Sequence, residues 1–279
     1  MIKIRVIKIY RIKKSEEKNM FLNKYPIFKK GHNVDKEVFE ILRDNPLEIL
    51  SLTYSKYQDG IISGFELTTN IEEKIVIVNK GIIKCNGEIY WMAEDYKFNM
   101  PMEEDRYTLK LKLNSNIKQE KYFVREGEFI LEKGYDNVSD DEIEITRFIT
   151  RVGAELRNDY NNFADLRRDF NLLEIINTKY SSNHINGTLH PTILKLWGME
   201  AAKKEELDIY DVNFYVNCLQ GDVEREVIIA YINRKLDLSN IDYTNEELYE
   251  NLLRILQILG RERRIIEKKR IIPQKITIE

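Results

Sequence analysis

Cysteine is nearly missing. Cys85 and Cys218 are the two in 279 residues, and most of the chain separates them. That spacing excludes a disulfide framework and fits a protein made in a reducing cytoplasm. No uninterrupted apolar run approaches the roughly 18 residues a membrane helix needs. The opening stretch Met1-Ile2-Lys3-Ile4-Arg5-Val6 alternates apolar with basic residues and never forms the continuous apolar block of a secretory signal. A soluble protein, made in the bacterial cytoplasm, is the expectation. Several chemical signatures are absent too. There is no Gly-x-x-x-x-Gly-Lys-Ser/Thr loop to cradle a phosphate, no Gly-x-Gly-x-x-Gly, no His-Glu-x-x-His and no Cys-x-x-Cys. ATPase or helicase chemistry is disfavoured on that ground.

What the chain does contain is ordinary material for packed domains: 43% of its residues are hydrophobic, 10% of the chain is aromatic, and 33% is charged. The length suits about two domains, and the charge implies heavily solvated or ion-paired surfaces. Few prolines and glycines among so many Ile, Asn, Lys and Glu suggest an AT-rich coding sequence, as in low-GC bacteria and their phages. The formal net charge is −3, but the sign is uneven. In residues 1–30, Lys3, Arg5, Lys8, Arg11, Lys13, Lys14, Lys18, Lys24, Lys29 and Lys30 face only Glu16 and Glu17. Arg261, Arg263, Arg264, Lys268, Lys269 and Arg270 form a second basic cluster. Such clusters are either solvated faces or docking sites for acidic protein or nucleic acid.

The hydrophobic period changes once along the chain. Ile2, Ile4, Val6, Ile9 and Ile12 alternate with bases, with one slip at Ile7, as on a strand. A short helix is predicted from Asp35 to Arg43, ended by Asn45-Pro46. From Tyr54 to Phe148 short strands follow one another: Gly60–Leu67, Lys74–Val78, Gly81–Trp91 as a hairpin about Asn86-Gly87, Tyr107–Leu113, Lys121–Arg125, Glu128–Leu131 and Glu142–Phe148. Asn-Gly is the strongest of these signals, because both positions of the tight turn need positive φ. An antiparallel sandwich or small barrel is expected here. Then Leu156, Tyr160, Phe163, Leu166, Phe170 and Leu173 recur at three and four residues, predicting a long helix from Gly153 to Thr178. Further helices are predicted from Pro191 to Gly198, Asp211 to Gln220, Val223 to Leu236, and from the capping box Thr244-Asn245-Glu246-Glu247 through Leu259. Ile271–Ile278 is extended. The fold class is therefore α+β: a basic arm (1–30), an antiparallel β-rich domain (31–152), a helical domain (153–270) and an extended tail (271–279).

Candidates for chemistry are sparse. His184 and His190 stand six apart, and Asp208 or Asp211 could complete a metal site with them, but polar loop roles suit them better, with His190 beside Pro191 acting at a helix start. Asp140, Asp141, Glu142 and Glu144 are dense in oxygen yet lack the spacing and central glycine of a calcium loop. Cys85 and Cys218 have no neighbouring His in sequence to activate them and suit small core positions. The 16 tyrosines could line a glycan- or peptide-binding surface, but many fall on the periodic stripes and suit core or subunit packing. No catalytic, cofactor or metal residues are assigned, and the chain is read as no enzyme.

The order of these segments resembles a known group. Tyr57-Gln58-Asp59-Gly60-Ile61-Ile62-Ser63-Gly64-Phe65-Glu66-Leu67 followed by Gly81-Ile82-Ile83-Lys84-Cys85-Asn86-Gly87-Glu88-Ile89-Tyr90 resembles the attachment domains of baseplate and tail-fibre-associated proteins of contractile phage tails. Glu142–Phe148 with Gly153–Arg157, His190–Leu196 and Arg225–Asn233 are similar to the junction and helical part of such proteins from clostridial prophages and from R-type, diffocin-like bacteriocins. The resemblance implies a structural component of a tail baseplate, in several copies per particle, linking wedge or hub to the receptor-binding fibre apparatus. Its partners would be other baseplate and fibre subunits, with membrane and nucleic acid not expected, and no catalytic residues carry over. The interface is expected at the ends, Ile2, Ile4, Val6 and Ile9 in the arm and Ile276 and Ile278 in the tail, which could dock by strand addition. The alternative reading is a nucleic-acid-binding accessory protein of a mobile element. Against it, the basic clusters lack interleaved aromatics for base stacking.

Overall fold

The computed structural model describes residues 23–260, without His32, 136–137 and 168–169, and residues 115–116 by backbone alone. The chain divides into two compact units, Met1–Tyr54 and Ser55–Glu279.

Among the described residues of the first unit the regular element is α1 (Lys36–Thr53). Asp35 starts it by accepting a hydrogen bond from the Val38 amide at 3.1 Å, which satisfies one of the free donors of the first turn. The predicted stop at Asn45-Pro46 is corrected: Pro46 lies inside the helix. Proline removes one backbone bond, about 3 kcal/mol in an interior position. Here Leu47-Glu48-Ile49-Leu50 carries the helix on beyond it, and the Tyr54 amide closes it on Leu50 O at 3.2 Å.

Among the described residues the second unit holds nine strands in three antiparallel, three-stranded sheets. The first has the order β1 (Gly60–Gly64), β4 (Gly81–Cys85), β5 (Glu88–Met92). The second has β2 (Leu67–Asn70), β3 (Ile75–Val78), β6 (Tyr96–Asn99), and the third β8 (Phe123–Lys133), β7 (Arg106–Lys118), β9 (Glu142–Ile149). The Asn-Gly hairpin forms as read, with φ of 51° at Asn86 and 75° at Gly87. The expected single strand Gly60–Leu67 is split: Gly64 (φ 76°) and Phe65 (φ 63°) turn the chain between β1 and β2. A side chain at Gly64 would stand 2.1 Å from Lys80 O, and one at Gly81 would stand 2.3 Å from Ser63 O. Those two glycines let the turn and β4 touch, and Phe65 tucks its ring over Gly81 into the core. The two predicted runs at Lys121–Arg125 and Glu128–Leu131 join across Gly127 as the single strand β8.

The helical half departs from expectation first over Gly153–Thr178. The long helix predicted over Gly153–Thr178 is not there; within those residues the described regular helix is a 3₁₀ turn, Phe163–Leu166. Leu156, Phe163, Leu166 and Leu173 are buried as their spacing implied. Their backbone, however, bonds to neighbouring segments: Arg147 and Glu174 exchange both amide bonds (3.1 and 2.8 Å), and Arg157 pairs with Asn171 and Leu173. Polar side chains supply what a helix would have supplied. Asn162 caps the 3₁₀ turn through Asp165 N at 2.9 Å, and Asn171 takes the left-handed φ of 59°.

The remaining helices are α2 (Pro191–Ala201), α3 (Ile209–Gln220), α4 (Arg225–Leu236) and α5 (Asn245–Ile258). Gly221, left-handed at φ 88°, ends α3, and the Thr244/Glu247 capping box starts α5. Gly198 does not stop α2 as predicted. It lets α3 approach, since a side chain there would lie 3.0 Å from Tyr215 O and 3.1 Å from Cys218 Cβ. Within the second unit one continuous hydrophobic cluster joins sheets and helices, from Ile61, Val76 and Ile83 through Ile145 and Ile176 to Trp197, Ile232 and Leu252.

The two contact glycines generate a test. Gly64→Ala and Gly81→Ala should each cost about 2–4 kcal/mol in urea unfolding, because backbone must move to admit a methyl group. Gly87→Ala, with open space around it and only its positive φ to oppose it, should cost about 1 kcal/mol. Equal losses at all three positions would contradict the close-approach account.

Candidate functional site

The polar group that ties most elements together is Tyr180. Its backbone pairs with Thr188 (3.2 and 2.7 Å), while the flanking Lys179 O and Ser181 N bond to the two sides of Ile61 in β1 at 3.0 and 2.8 Å. Its hydroxyl donates to Gly64 O at 2.9 Å, at the turn after β1. His190 lies 3.4 Å from the same hydroxyl through Nε2, and its Nδ1 accepts from the Thr192 amide at 3.0 Å as the cap of α2. Because Nδ1 is an acceptor there, the ring is the neutral tautomer with its proton on Nε2, directed at Tyr180. Burial, with Lys195 adding to it, pushes the imidazole down to about 3. His190 is thus the helix-start residue its place before Pro191 suggested. It does not meet His184 in a metal site; among the described residues no group of three or more His, Cys, Asp or Glu side chains could hold an ion.

Other buried charges also serve internal joints. Arg225, 1% exposed, bonds Asp242 at 2.7 Å, Asn245 at 2.8 Å and the Tyr243 carbonyl, which locks the entry to α5 onto the start of α4. Asp211 accepts from Tyr231 at 2.7 Å and pairs with Lys235 at 3.0 Å, while completing the capping box of α3. Each is paired as a buried ion must be, since an isolated one would cost several kcal/mol. Cys85 and Cys218 are buried thiols, and desolvation pushes the former up to about 11. That is the opposite of an activated nucleophile.

One carboxyl is less well served. Glu174 faces Arg147 and Arg167, but those guanidiniums are engaged elsewhere: Arg147 with Glu144 at 2.7 Å, and Arg167 with Glu250 at 2.5 Å and Glu246 at 3.4 Å. Burial, opposed by the two arginines and reinforced by Glu246 and Glu144, pushes Glu174 up to about 7.

The surfaces are more informative than the interior. No residue of α1 is buried, although Val38, Ile41, Leu42, Ile49 and Leu52 share one side of it with Phe39 and Leu50. Phe39 and Ile49 are more than 60% exposed. A helix seldom keeps an apolar stripe that wide in water. In the second unit β8 is the outer strand of its sheet, and Tyr122 and Phe123 stand exposed at the tip of the β7–β8 hairpin. The interface residues read from sequence, Ile2, Ile4, Val6, Ile9, Ile276 and Ile278, lie outside the described residues. Sequence reading did not single out α1 as a surface, although spacings of three and four at residues 38, 39, 42, 49 and 52 were there to find.

No family model and no curated protein matches this chain. Among solved structures, a chain of the type VI secretion system TssK-TssF-TssG baseplate subcomplex, determined by cryo-electron microscopy, is similar over 84% of this chain and 99% of its own length. The TM-score is 0.42 and the identity 9%. That likeness is too loose to carry function.

The two perturbed groups give opposite pH dependences. His190 is depressed in the folded state, so between about pH 6.5 and 3 the unfolded chain binds the extra proton, and stability falls as pH falls. Glu174 is raised, so its contribution is fully present below about pH 4.5 and is lost as pH rises toward 7. Glu174→Gln should therefore gain about 1–3 kcal/mol over the parent at pH 8 and converge with it near pH 4.5. His190→Gln should remove about 2–4 kcal/mol of the parent's loss between pH 7 and 4. Urea titrations at several pH values would read both, and parallel pH profiles for parent and variants would contradict the assignments.

Proposed function

We propose that this chain is a structural, non-catalytic subunit of a contractile particle baseplate, joining the wedge or hub to the receptor-binding fibre apparatus of a phage tail or an R-type bacteriocin. The observation that carries the reading is α1, a capped 18-residue helix with an apolar side and no buried residue. Such a helix suits a part whose neighbours complete it. The resemblance of the Gly60–Leu67 and Gly81–Tyr90 segments to attachment domains supports the same reading. Those segments fold around the Gly64/Gly81 contact as a compact β unit. The polar network described above works inward, tying elements to one another, as befits a rigid assembly part.

Particles purified from the producing bacterium after induction provide the test. Mass spectrometry should find the chain at a fixed ratio to sheath and tube proteins. Replacing Leu42 and Ile49 by Glu should leave a folded protein with unchanged circular dichroism but lower its incorporation about tenfold or more, since apolar anchors dominate such contacts. Absence of the chain from intact particles would overturn the reading, and full incorporation of the α1 variant would remove α1 from it.

A further inference from the structure

Helix α3 is apolar on two sides. Inward, Phe214 and Cys218 are buried, with Phe214 stacked on Tyr231 at 4.0 Å and set edge-on to Trp197 at 4.9 Å. Outward, Ile209, Val212, Val216 and Leu219 are 77%, 39%, 43% and 41% exposed. Their spacing of three, four and three residues puts them in one stripe along the helix. A helix that is hydrophobic all round is normally buried, so this stripe is a packing face left open. It also carries no charge. Charged residues are 33% of the chain, yet the one in α3 is Asp211, which is 2% exposed and satisfied by Tyr231 and Lys235. Beside the stripe the polar groups are the amides of Asn213, Asn217 and Gln220. Depletion of charge around an apolar centre marks the core of an interface.

The stripe is its own complement. Against an antiparallel copy related by a two-fold axis at the level of Phe214, a residue before 214 meets the one equally far after it. Ile209 then meets Leu219 of the copy and Val212 meets Val216. The small valines lie where the helices come closest, and the larger side chains lie toward the ends. The amides suit the same symmetry, because each both donates and accepts and can face an identical group. A charge near the axis would face its own sign, at a cost. Charges begin beyond the stripe, and there they match. Lys195 of α2 lies against Gly221, seven residues past the axis. Leu207, seven residues before it, follows Glu205 and Glu206. Lys195, Glu205 and Glu206 are exposed and form no ion pair with any described residue. The geometry points to a symmetric dimer in which α3 of a second copy packs antiparallel on α3 of the first, with Lys195 of each copy set against Glu205 and Glu206 of the other. The four apolar side chains make a patch of roughly 400 Å². With the amides and the charged rim each copy covers about 600 Å², the low end of specific interfaces, which suits a dimer of micromolar affinity. This goes beyond the baseplate reading and does not depend on it, because it concerns how copies of the chain meet each other.

Two measurements on the full-length protein test it. Sedimentation velocity from about 1 to 200 μM should show monomer passing to dimer. Val212→Asp with Val216→Asp should weaken association about tenfold or more. Both side chains are exposed, and circular dichroism checks that the variant folds. Lys195→Glu, or Glu205→Lys with Glu206→Lys, should each weaken it about threefold or more, and the three changes together should restore it, which a loss of folding could not do. The second measurement reads orientation by disulfide formation. A mixture of Ile209→Cys chains with Leu219→Cys chains should oxidise to a crosslinked dimer. Ile209→Cys alone should not, because its counterpart stands ten residues, about 15 Å, along the axis. The native cysteines, Cys85 and Cys218, are buried and stay out of the reaction. A parent protein still monomeric at about 0.2 mM would overturn the proposal. So would unchanged association of the folded aspartate variant, failure of the three combined charge changes to recover, or crosslinking of Ile209→Cys with itself in preference to the mixture.

Discussion

The pairing of Lys179, Tyr180 and Ser181 with Ile61 on one side and Thr188 on the other is the constraint on which the second unit depends. Those backbone bonds add an outer line of chain to β1, and the Tyr180 hydroxyl fixes the turn at Gly64 that directs the chain from the first sheet to the second. His190 meets the same hydroxyl while starting α2. A β-sheet edge, a turn and a helix N-terminus are thus held by one buried phenol and one buried imidazole. Both groups are expensive to bury unless each has its partner. The hydrophobic cluster that runs from Ile61 to Trp197 can be continuous because this joint sets the spacing between sheet and helix.

Much of this was legible in the residues where a local rule and the tertiary structure agree. Asn86-Gly87 specified a hairpin because few other pairs accept its backbone angles, and Thr244/Glu247 and Gly221 marked helix ends through groups that need satisfying. The α+β division followed from the change of period. Reading failed where one pattern had two physical causes. The spacing of Leu156, Tyr160, Phe163, Leu166 and Leu173 is the period of a helix. It is also what an irregular segment shows when it dips repeatedly into a core, and the Asn and Asp side chains among those positions favoured the second. Pro46 was overruled by strong helix formers on its far side. Gly198 has the residue type of a helix stop, but here it serves close helix packing. The joint at Tyr180 could not be read at all, since nothing in sequence links Tyr180 to Gly64, 116 residues away.

The same division separates what the molecule does inwardly from what it offers outwardly. Its buried charges, Arg225, Asp211 and Lys235, are matched within the chain and stabilise connections between helices. The exposed side of α1 carries apolar side chains, and Phe123, Glu126 and Glu128 stand exposed on β8. The interior is thus closed by pairs within the chain, while apolar and acidic side chains stand at its margins.

Sheets and helices of the second unit form one cooperative body through the Tyr180 joint. Native-state hydrogen exchange measures that directly, because each amide reports the free energy of the opening that exposes it. The amides of Ile61, Ser181 and Thr188 should exchange only through the same global opening as those in the middle of α2 and α5, with one shared denaturant dependence. Exchange of the joint amides at distinctly lower free energy, with the helices still protected, would show two bodies that unfold separately and would contradict the account.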